Sequence, residues 1–244
     1  MSTSWLHHQT NHKSVLTNGA CHRDASLPRH ERIIRPLDAD FKAFKWATVS
    51  GEEKASERMC RRMYHFLSIL RHISIRTLYT ASRLHTSDRA WKSAHHEISK
   101  WIEEDGESAR STLVHAAKLF RDIRSQGIWS AQDPFCLLVA TLVIWIYTKH
   151  IHRLGNSGDA QPDTLQPIRL DRSQNDIEIK EWIYHGHNKA LHITGIGLLS
   201  DGASSSCTLK EAARIFKSQR TWSGLTDALV KVFPKMLDGL ELSI

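Results

Sequence analysis

One apolar stretch near the middle of the chain constrains the fold more than any other feature. Residues 135–147 read Phe-Cys-Leu-Leu-Val-Ala-Thr-Leu-Val-Ile-Trp-Ile-Tyr, and Thr141 interrupts this run of 13 residues. Asp133 and Pro134 precede it, and helices favour Asp as N-cap and Pro at the first position. A helix that is apolar on every side must be covered by other elements. Because crossing a bilayer takes about 20 residues, we expect a buried central helix and no membrane contact.

Helical spacing of apolar residues predicts further helices around this one. The spacing is clear at Met59, Met63, Phe66 and Leu67, which fall on one face at the 3.6-residue period. No alternating pattern indicates a sheet, although residues 168–171 could be a short extended segment. The predicted fold class is therefore all-α, a single multi-helix domain around the buried central helix. Helices are predicted at about 52–73, 75–84, 89–103, 109–125, 134–149, 175–184, 208–216 and 225–240.

Local signals predict where three of these helices begin, end or break. Gly106 follows an acidic run and suits the left-handed residue that ends a helix. Thr208 and Glu211 have the spacing of a capping box, which predicts a helix starting there. Pro234 lies within the last periodic segment and should kink or split that helix.

The chain divides by composition into a tail and a domain. Residues 1–40 are rich in His, Ser, Thr and Asn without a sustained period, which predicts a poorly ordered tail. Residues 41–244 are predicted to form the helical domain. Within it, residues 155–167 are rich in Gly, Pro and polar side chains and are predicted to be a surface loop.

The net charge of +7 is concentrated near the N-terminus. Residues 1–90 hold 15 Lys/Arg and 8 Asp/Glu, whereas residues 91–244 hold 18 of each. Arginines between residues 58 and 87, where no acid occurs, fall opposite the apolar face of the first predicted helix. Such a stripe is typical of a solvated helix face, and it also suits a weak contact with DNA phosphates or acidic proteins. The residues proposed for that contact are Arg58, Arg61, Arg62 and Arg76.

A third interpretation pairs these arginines with acids of the same fold, such as Glu103, Glu104 or Glu107. In that case they would not be available to a partner. DNA binding by this chain is therefore expected to be at most weak and insensitive to base sequence.

Neither the cysteines nor the histidines have the spacing of a metal site. The four cysteines, Cys21, Cys60, Cys136 and Cys207, form no Cys-x-x-Cys pair, so the sequence contains no complete C2H2 zinc finger. The closest groups among 16 histidines are His95-His96-Glu97, His150 with His152, and His185 with His187 and His192. Histidines two apart on a helix point in different directions and cannot share one ion. We predict no metal ligand and no cofactor.

Short catalytic motifs are also missing from the sequence. Gly195-Ile-Gly197 is half of a dinucleotide fingerprint and lacks the third glycine and the acidic partner. Ser223 follows Trp222 and lacks the preceding glycine of a nucleophile elbow. We therefore expect no enzyme and no catalytic residue. The alternative is a stand-alone helical protein that binds a small molecule or catalyses a reaction without a short motif.

Several motifs in order along residues 60–244 resemble one family. Residues 114–124 read Val-His-Ala-Ala-Lys-Leu-Phe-Arg-Asp-Ile-Arg, followed by Asp133-Pro134-Phe135 and by Ala-Thr-Leu-Val-Ile-Trp-Ile-Tyr at 140–147. This block resembles the C-terminal helical region of fungal C2H2 zinc-finger transcription factors, which is related to the fungal-specific transcription factor domain. The positions that carry the resemblance are His115, Pro134, Phe135, Trp145, Tyr147, Trp182, Gly186, Gly195, Gly197 and Trp222, together with Arg169-Leu170-Asp171.

The resemblance implies an all-helical regulatory region of a nuclear transcription regulator. Its matching residues are apolar and structural, so they specify a fold family better than an activity. Zinc fingers normally precede this region and none occurs here, which implies either a gene model that is short at its N-terminus or a regulatory region on its own. The implied partners are the transcription machinery or a second copy of the chain.

Overall fold

The structure is a computed structural model that describes residues 55–83, 86–126, 129–155, 163–172, 176–186, 189–219 and 223–241. These residues all belong to one compact unit, Thr48–Ile244. The tail predicted at residues 1–40 lies outside the described residues, and the proposed domain start at residue 41 stays a prediction.

The described residues are mostly helical, as predicted. Helices labelled α1 to α9 and strands labelled β1 to β3 follow one another along the chain. They are α1 Ala55–Leu70, α2 Ile75–Ala81, α3 Asp88–Glu104, α4 Gly106–Arg124, α5 Asp133–Gly155, β1 Asp163–Arg169, α6 Asp176–His185, β2 Lys189–Ile193, β3 Gly197–Leu198, α7 Ser204–Lys217, α8 Ser223–Val230 and α9 Val232–Glu241.

Helix α5 is the buried central helix that the apolar stretch predicts. Its side chains from Cys136 to Ile146 are all buried, and α1, α2, α4 and α7 pack around it. The hydroxyls of Thr141 and Thr148 donate to the carbonyls of Leu137 and Ile144, each at 2.7 Å, so neither polar group is left unsatisfied in the core. Asp133–His152 is long and apolar enough to span a bilayer by length and composition, but 78% of its most apolar window is buried inside the protein.

The predicted mostly helical fold is confirmed, and a small three-stranded sheet, which no alternating pattern indicated, accompanies the helices. The strand order is β1-β2-β3, with β1 parallel to β2 and β2 antiparallel to β3. Helix α6 connects the parallel pair, as such a pair requires a crossover. The strands have seven, five and two residues, too short for an alternating pattern to stand out.

Part of the predicted surface loop belongs to this sheet. Residues 163–167 lie in β1, so the interpretation of 155–167 as loop is wrong at its C-terminal end. Pro167 lies within β1, an edge strand. Proline is tolerated on such a strand because its missing N–H need not join the ladder. Composition had favoured a loop because Pro and polar residues are rare in central strands.

Two of the three local helix signals were wrong. Gly106 is the first residue of α4, and Asp105 caps that helix by accepting the N–H of Ser108. Helix α7 begins at Ser204, so Thr208 lies inside it and donates its hydroxyl to the Ser204 carbonyl at 2.8 Å. The predicted break near Pro234 is present, between α8 and α9 at Lys231. Pro234 is the third residue of α9, where a helix needs no N–H donor.

Candidate functional site

The arginines of α1 lie against neighbouring helices. Arg61 Nε donates to Asp122 Oδ2 of α4 at 2.5 Å. Arg62 pairs with Asp133 at the start of α5, and its Nη2 also donates to the Asp122 carbonyl at 3.3 Å. Arg62 is 5% exposed, so the expectation that it lies on a solvated face is wrong. Internal acids neutralise these two arginines, but the acids are Asp122 and Asp133 instead of Glu103, Glu104 or Glu107.

The other two arginines of the predicted stripe are placed differently. Arg58 is half-buried on α1, one turn before Arg62. Arg76 is exposed on α2, so it does not share a surface helix face with the others. The four residues therefore do not form one exposed stripe, although a weak contact through Arg76 stays a prediction.

The exposed side of α1 is partly apolar. The buried side chains of α1 are Arg62, His65, Phe66 and Ile69. With these residues in the core, part of the apolar face of α1 points away from it. Met59 and Leu67, expected to pack inside, are 46% and 49% exposed. The ion pairs to α4 and α5, as well as the apolar residues, determine which side of α1 is buried. The helix is therefore rotated about its axis relative to the orientation that apolar spacing predicts.

Three aromatic rings meet between α1 and α4. The Nδ1 atoms of His65 and His115 lie 2.9 Å apart, and the ring of Tyr64 packs against both histidines. Burial is the main cause that holds the pKa of His65 well below its ordinary value, and the charges of His115, Lys118 and Arg61 act in the same direction. His115, a position of the family motif, therefore has a packing and hydrogen-bonding role.

Cationic side chains of α4 connect it to the C-terminal part of the domain. Arg121 Nη1 donates to the Asp171 carbonyl at 2.6 Å, just after β1. Arg124 Nε donates to Glu211 Oε1 of α7 at 2.6 Å. Lys118 lies 3.3 Å from the Asp176 carboxylate at the start of α6. The motif at residues 114–124 is thus a set of tertiary contacts, which explains why charged residues recur within an otherwise apolar pattern.

Two motif glycines make room for arginines of α4. Gly186 has φ +66°, its N–H donates to the Trp182 carbonyl, and an added Cβ would lie 2.6 Å from Arg110 Nη1. Arg110 in turn donates from Nε to the Ile183 carbonyl at 2.8 Å at the end of α6. Gly195 has φ +94°, and a Cβ there would lie 2.9 Å from the Arg124 guanidinium. Glycine is needed at both positions for conformation and for space.

The remaining motif positions are structural where they are described. Pro134, Trp145 and Tyr147 of α5 and Trp182 of α6 are buried. Burial raises the pKa of Tyr147 to about 12, and raises that of the Cys136 thiol near the start of α5 to about 12 as well. Phe135 is 40% exposed and packs edge-on against Phe66 of α1. Gly197 has φ +101° at the start of β3, and Trp222 lies outside the described residues.

Histidines do not assemble into a ligand set within the described ranges. Groups of three or more His, Cys, Asp or Glu side chains able to hold a metal do not occur there. Among the histidines grouped by sequence, His95 contacts the Ala81 carbonyl at 3.0 Å and His152 contacts Ser204 Oγ at 3.2 Å. His187 lies outside the described residues.

One apolar cleft lies between α2, α3 and α5. Ile73, Leu78, Trp101 and Tyr147 are among the residues that line it. Its volume of about 10 Å³ has room for about one water molecule. Pockets that enclose organic ligands are about 300–1,000 Å³, so this cleft does not fit such a ligand.

Comparison with known proteins gives one similarity. The chain is 25% identical over 158 residues to a protein named "Transcription factor" from Gibberella fujikuroi. The chain is therefore similar to a fungal transcription factor. The matched part is 65% of this chain and 20% of the relative, so the chain spans about a fifth of the relative's length. No family model matches the chain, and no solved structure matches it.

Proposed function

We propose that this chain is the regulatory region of a nuclear transcription regulator and acts through protein contacts without catalysis of its own. The similarity to the Gibberella fujikuroi transcription factor over 158 residues is the observation that carries the proposal. The chain matches only 20% of that protein, so DNA-reading elements would lie elsewhere in a full-length regulator. Its partners would be components of the transcription machinery or a second copy of the chain.

The contacts of α4 support a regulatory region that folds as a unit. The motif at residues 114–124 reaches α1 through Asp122, β1 through Arg121 and α7 through Arg124. Motif residues with such contacts stabilise the fold, as expected for a domain whose surface binds other proteins.

A tethering assay tests the regulatory role. The full chain is fused to an unrelated DNA-binding domain in a fungal host, and expression of a reporter with the matching site is measured. We expect the fusion to raise or lower reporter expression several-fold relative to the DNA-binding domain alone. The variant Trp145→Ala, which disrupts the core, should lose that effect at an equal amount of fusion protein.

Two results would contradict the proposal. Reporter expression equal to that of the DNA-binding domain alone, with the fusion folded and present in the nucleus, would exclude a regulatory role in that host. An effect that survives Trp145→Ala with the domain unfolded would show that the folded region is not responsible.

A further inference from the structure

A second group of arginines forms a surface at the C-terminal end of α4. Arg121 and Arg124 come from α4, Arg214 from α7, Arg169 from the end of β1, and Arg172 from the turn after β1. The first three lie on acids that are buried or mostly buried. Asp171 has a fully buried side chain beside Arg121, and the Glu211 side chain, which binds Arg124 and Arg214, is 13% exposed. We call Arg121, Arg124, Arg169, Arg172 and Arg214 the arginine surface.

The acids lie beneath this surface and the guanidinium groups lie above them. The side chains of Arg121 and Arg214 are 46% and 61% exposed. Both Arg124 and Arg214 direct Nε inward to the Glu211 carboxylate. More positive charge is therefore exposed to solvent here than the equal numbers of Lys/Arg and Asp/Glu in residues 91–244 suggest, because the compensating carboxylates are covered.

The end of β1 and the turn after it add two cations close to Arg121. Arg172 N–H donates to the Arg169 carbonyl at 3.2 Å, and Arg121 binds the Asp171 carbonyl between them. Arg169 is exposed and Arg172 is half-buried. Neither forms an ion pair within the described part of the chain, so both charges are available to a partner.

We propose that the arginine surface binds the phosphate backbone of nucleic acid without reading its sequence. Guanidinium groups match the oxygens of phosphate in geometry and charge. The five arginines come from three segments of the chain that the ion pairs to Glu211 and the bond to Asp171 hold together, so the charges are spread over an area in fixed positions. Such a surface gains affinity by releasing counterions from a polyanion.

A phosphate backbone fits this surface better than an acidic polypeptide does. Polypeptide segments that dock on a protein usually add apolar anchors to their charges. Among the described side chains of α4, α7, β1 and the turn after β1, no large apolar side chain is exposed. Leu198, which is 41% exposed, belongs to β3, beyond the turn of Gly195. Duplex DNA carries one charge per about 1.7 Å of axis, which is denser than most acidic segments.

The inference is independent of the regulatory role, because the tethering assay supplies DNA binding from the fused domain. It also differs from the stripe predicted on α1, since Arg61 and Arg62 are engaged with Asp122 and Asp133. The proposed contact thus lies in the region of the sequence with no net charge.

Fluorescence anisotropy with a labelled random-sequence DNA duplex tests the proposal on the full chain. The double variant Arg169→Gln/Arg172→Gln should bind roughly 10-fold more weakly at low salt. If both side chains contact phosphates, the log–log salt slope should become shallower by roughly 1.8, since each contact contributes about 0.9. Neither side chain supports the fold through an ion pair, so this variant should keep the melting temperature of the parent.

The matched control is Arg89→Gln/Lys92→Gln, which removes the same charge from exposed positions on α3. We expect this control to bind the duplex as the parent does. An equal loss of affinity in both variants, or no binding by the parent even at low salt, would overturn the proposal. Tighter binding to a labelled poly-glutamate peptide than to the duplex at the same salt would overturn it in favour of an acidic protein partner.

Discussion

Arg62 of α1 and Asp133 of α5 form a buried ion pair that joins the first described helix to the central one. The Arg62 side chain is 6% exposed and the Asp133 side chain is fully buried. Asp133 Oδ2 also accepts the N–H of Ser130 at 2.7 Å, so the carboxylate closes the turn before α5. Asp133 was predicted as a simple helix cap, and its position at the start of α5 is correct. Its bond to Arg62 fixes α1 against that start.

Removing one partner of this pair should destabilise the domain strongly. We expect Asp133→Asn to lower the free energy of unfolding by about 3–5 kcal/mol, because Arg62 would keep a buried charge without its counter-ion. Urea denaturation followed by circular dichroism measures the loss. The control Asp88→Asn breaks the exposed pair with Arg83 and should cost at most about 1 kcal/mol. Equal losses in the two variants would contradict a buried role for Asp133.

The helices of this domain could be predicted from sequence because apolar periodicity reports burial. The run at 135–147 predicted the start of α5 to within one residue, and Met63 and Phe66 predicted the packing side of α1 approximately. Apolar periodicity identifies the packing face of a helix but does not identify the helix that packs against it. It therefore could not show that Arg61 and Arg62 face Asp122 and Asp133.

Charged residues inside a helical motif were the signal that apolar periodicity could not interpret. Asp122 lies within the motif at 114–124 and Asp171 within Arg-Leu-Asp, yet the sequence alone gives no pairing between them and the arginines. The sheet was missed for a related reason. Strand β3 has two residues, and such a strand exists only because β2 lies beside it.

Truncation of Trp145 should expose the importance of the central helix. Its side chain is 2% exposed, and the Lys149 ammonium lies 4.2 Å from the centre of its ring. We expect Trp145→Ala to lower the free energy of unfolding by about 3–5 kcal/mol, since a large aromatic leaves a cavity. Tyr184→Ala is the control, because the Tyr184 side chain is 63% exposed and its loss should change stability by about 0.5 kcal/mol or less. An unchanged melting temperature for Trp145→Ala would contradict the buried central helix.

Stability should fall as the pH falls through the ordinary range of histidine. Burial and nearby positive charge keep the pKa of His65 well below its ordinary value in the folded protein, whereas the unfolded chain takes up a proton near pH 6.5. The unfolded state binds more protons below that pH, so acid favours unfolding. Stability is full above about pH 6.5 and is lost progressively as the pH drops towards the folded pKa.

Denaturation at about pH 7.5 and about pH 5.5, on either side of the ordinary histidine pKa, measures this effect. His65→Gln should reduce the difference in unfolding free energy between the two pH values. The exposed His96 offers the control His96→Gln, which should leave the difference unchanged. Burial also lowers the pKa of His192, so a smaller pH dependence should persist in His65→Gln. A pH dependence identical to that of the parent would contradict the assignment to His65.

Three glycine variants on either side of β3 and at its first residue separate backbone conformation from crowding. Gly202→Ala meets open space at an ordinary φ and should cost little. Gly197 has φ +101° with nothing near an added Cβ, so Gly197→Ala should lose roughly 1–2 kcal/mol from conformation alone. Gly195→Ala should lose more, because its Cβ would lie 2.9 Å from the Arg124 guanidinium, which is held by Glu211.

The double variant Gly195→Ala/Arg124→Ala identifies the source of the additional loss. If the Arg124 guanidinium causes the crowding, the two changes should be non-additive, and the double variant should be more stable than the sum of the single losses indicates. Thermal or urea unfolding of the four proteins in this cycle gives the coupling energy. Strict additivity, or equal losses in Gly195→Ala and Gly197→Ala, would mean that Arg124 moves aside without cost and that this glycine is required for its φ alone.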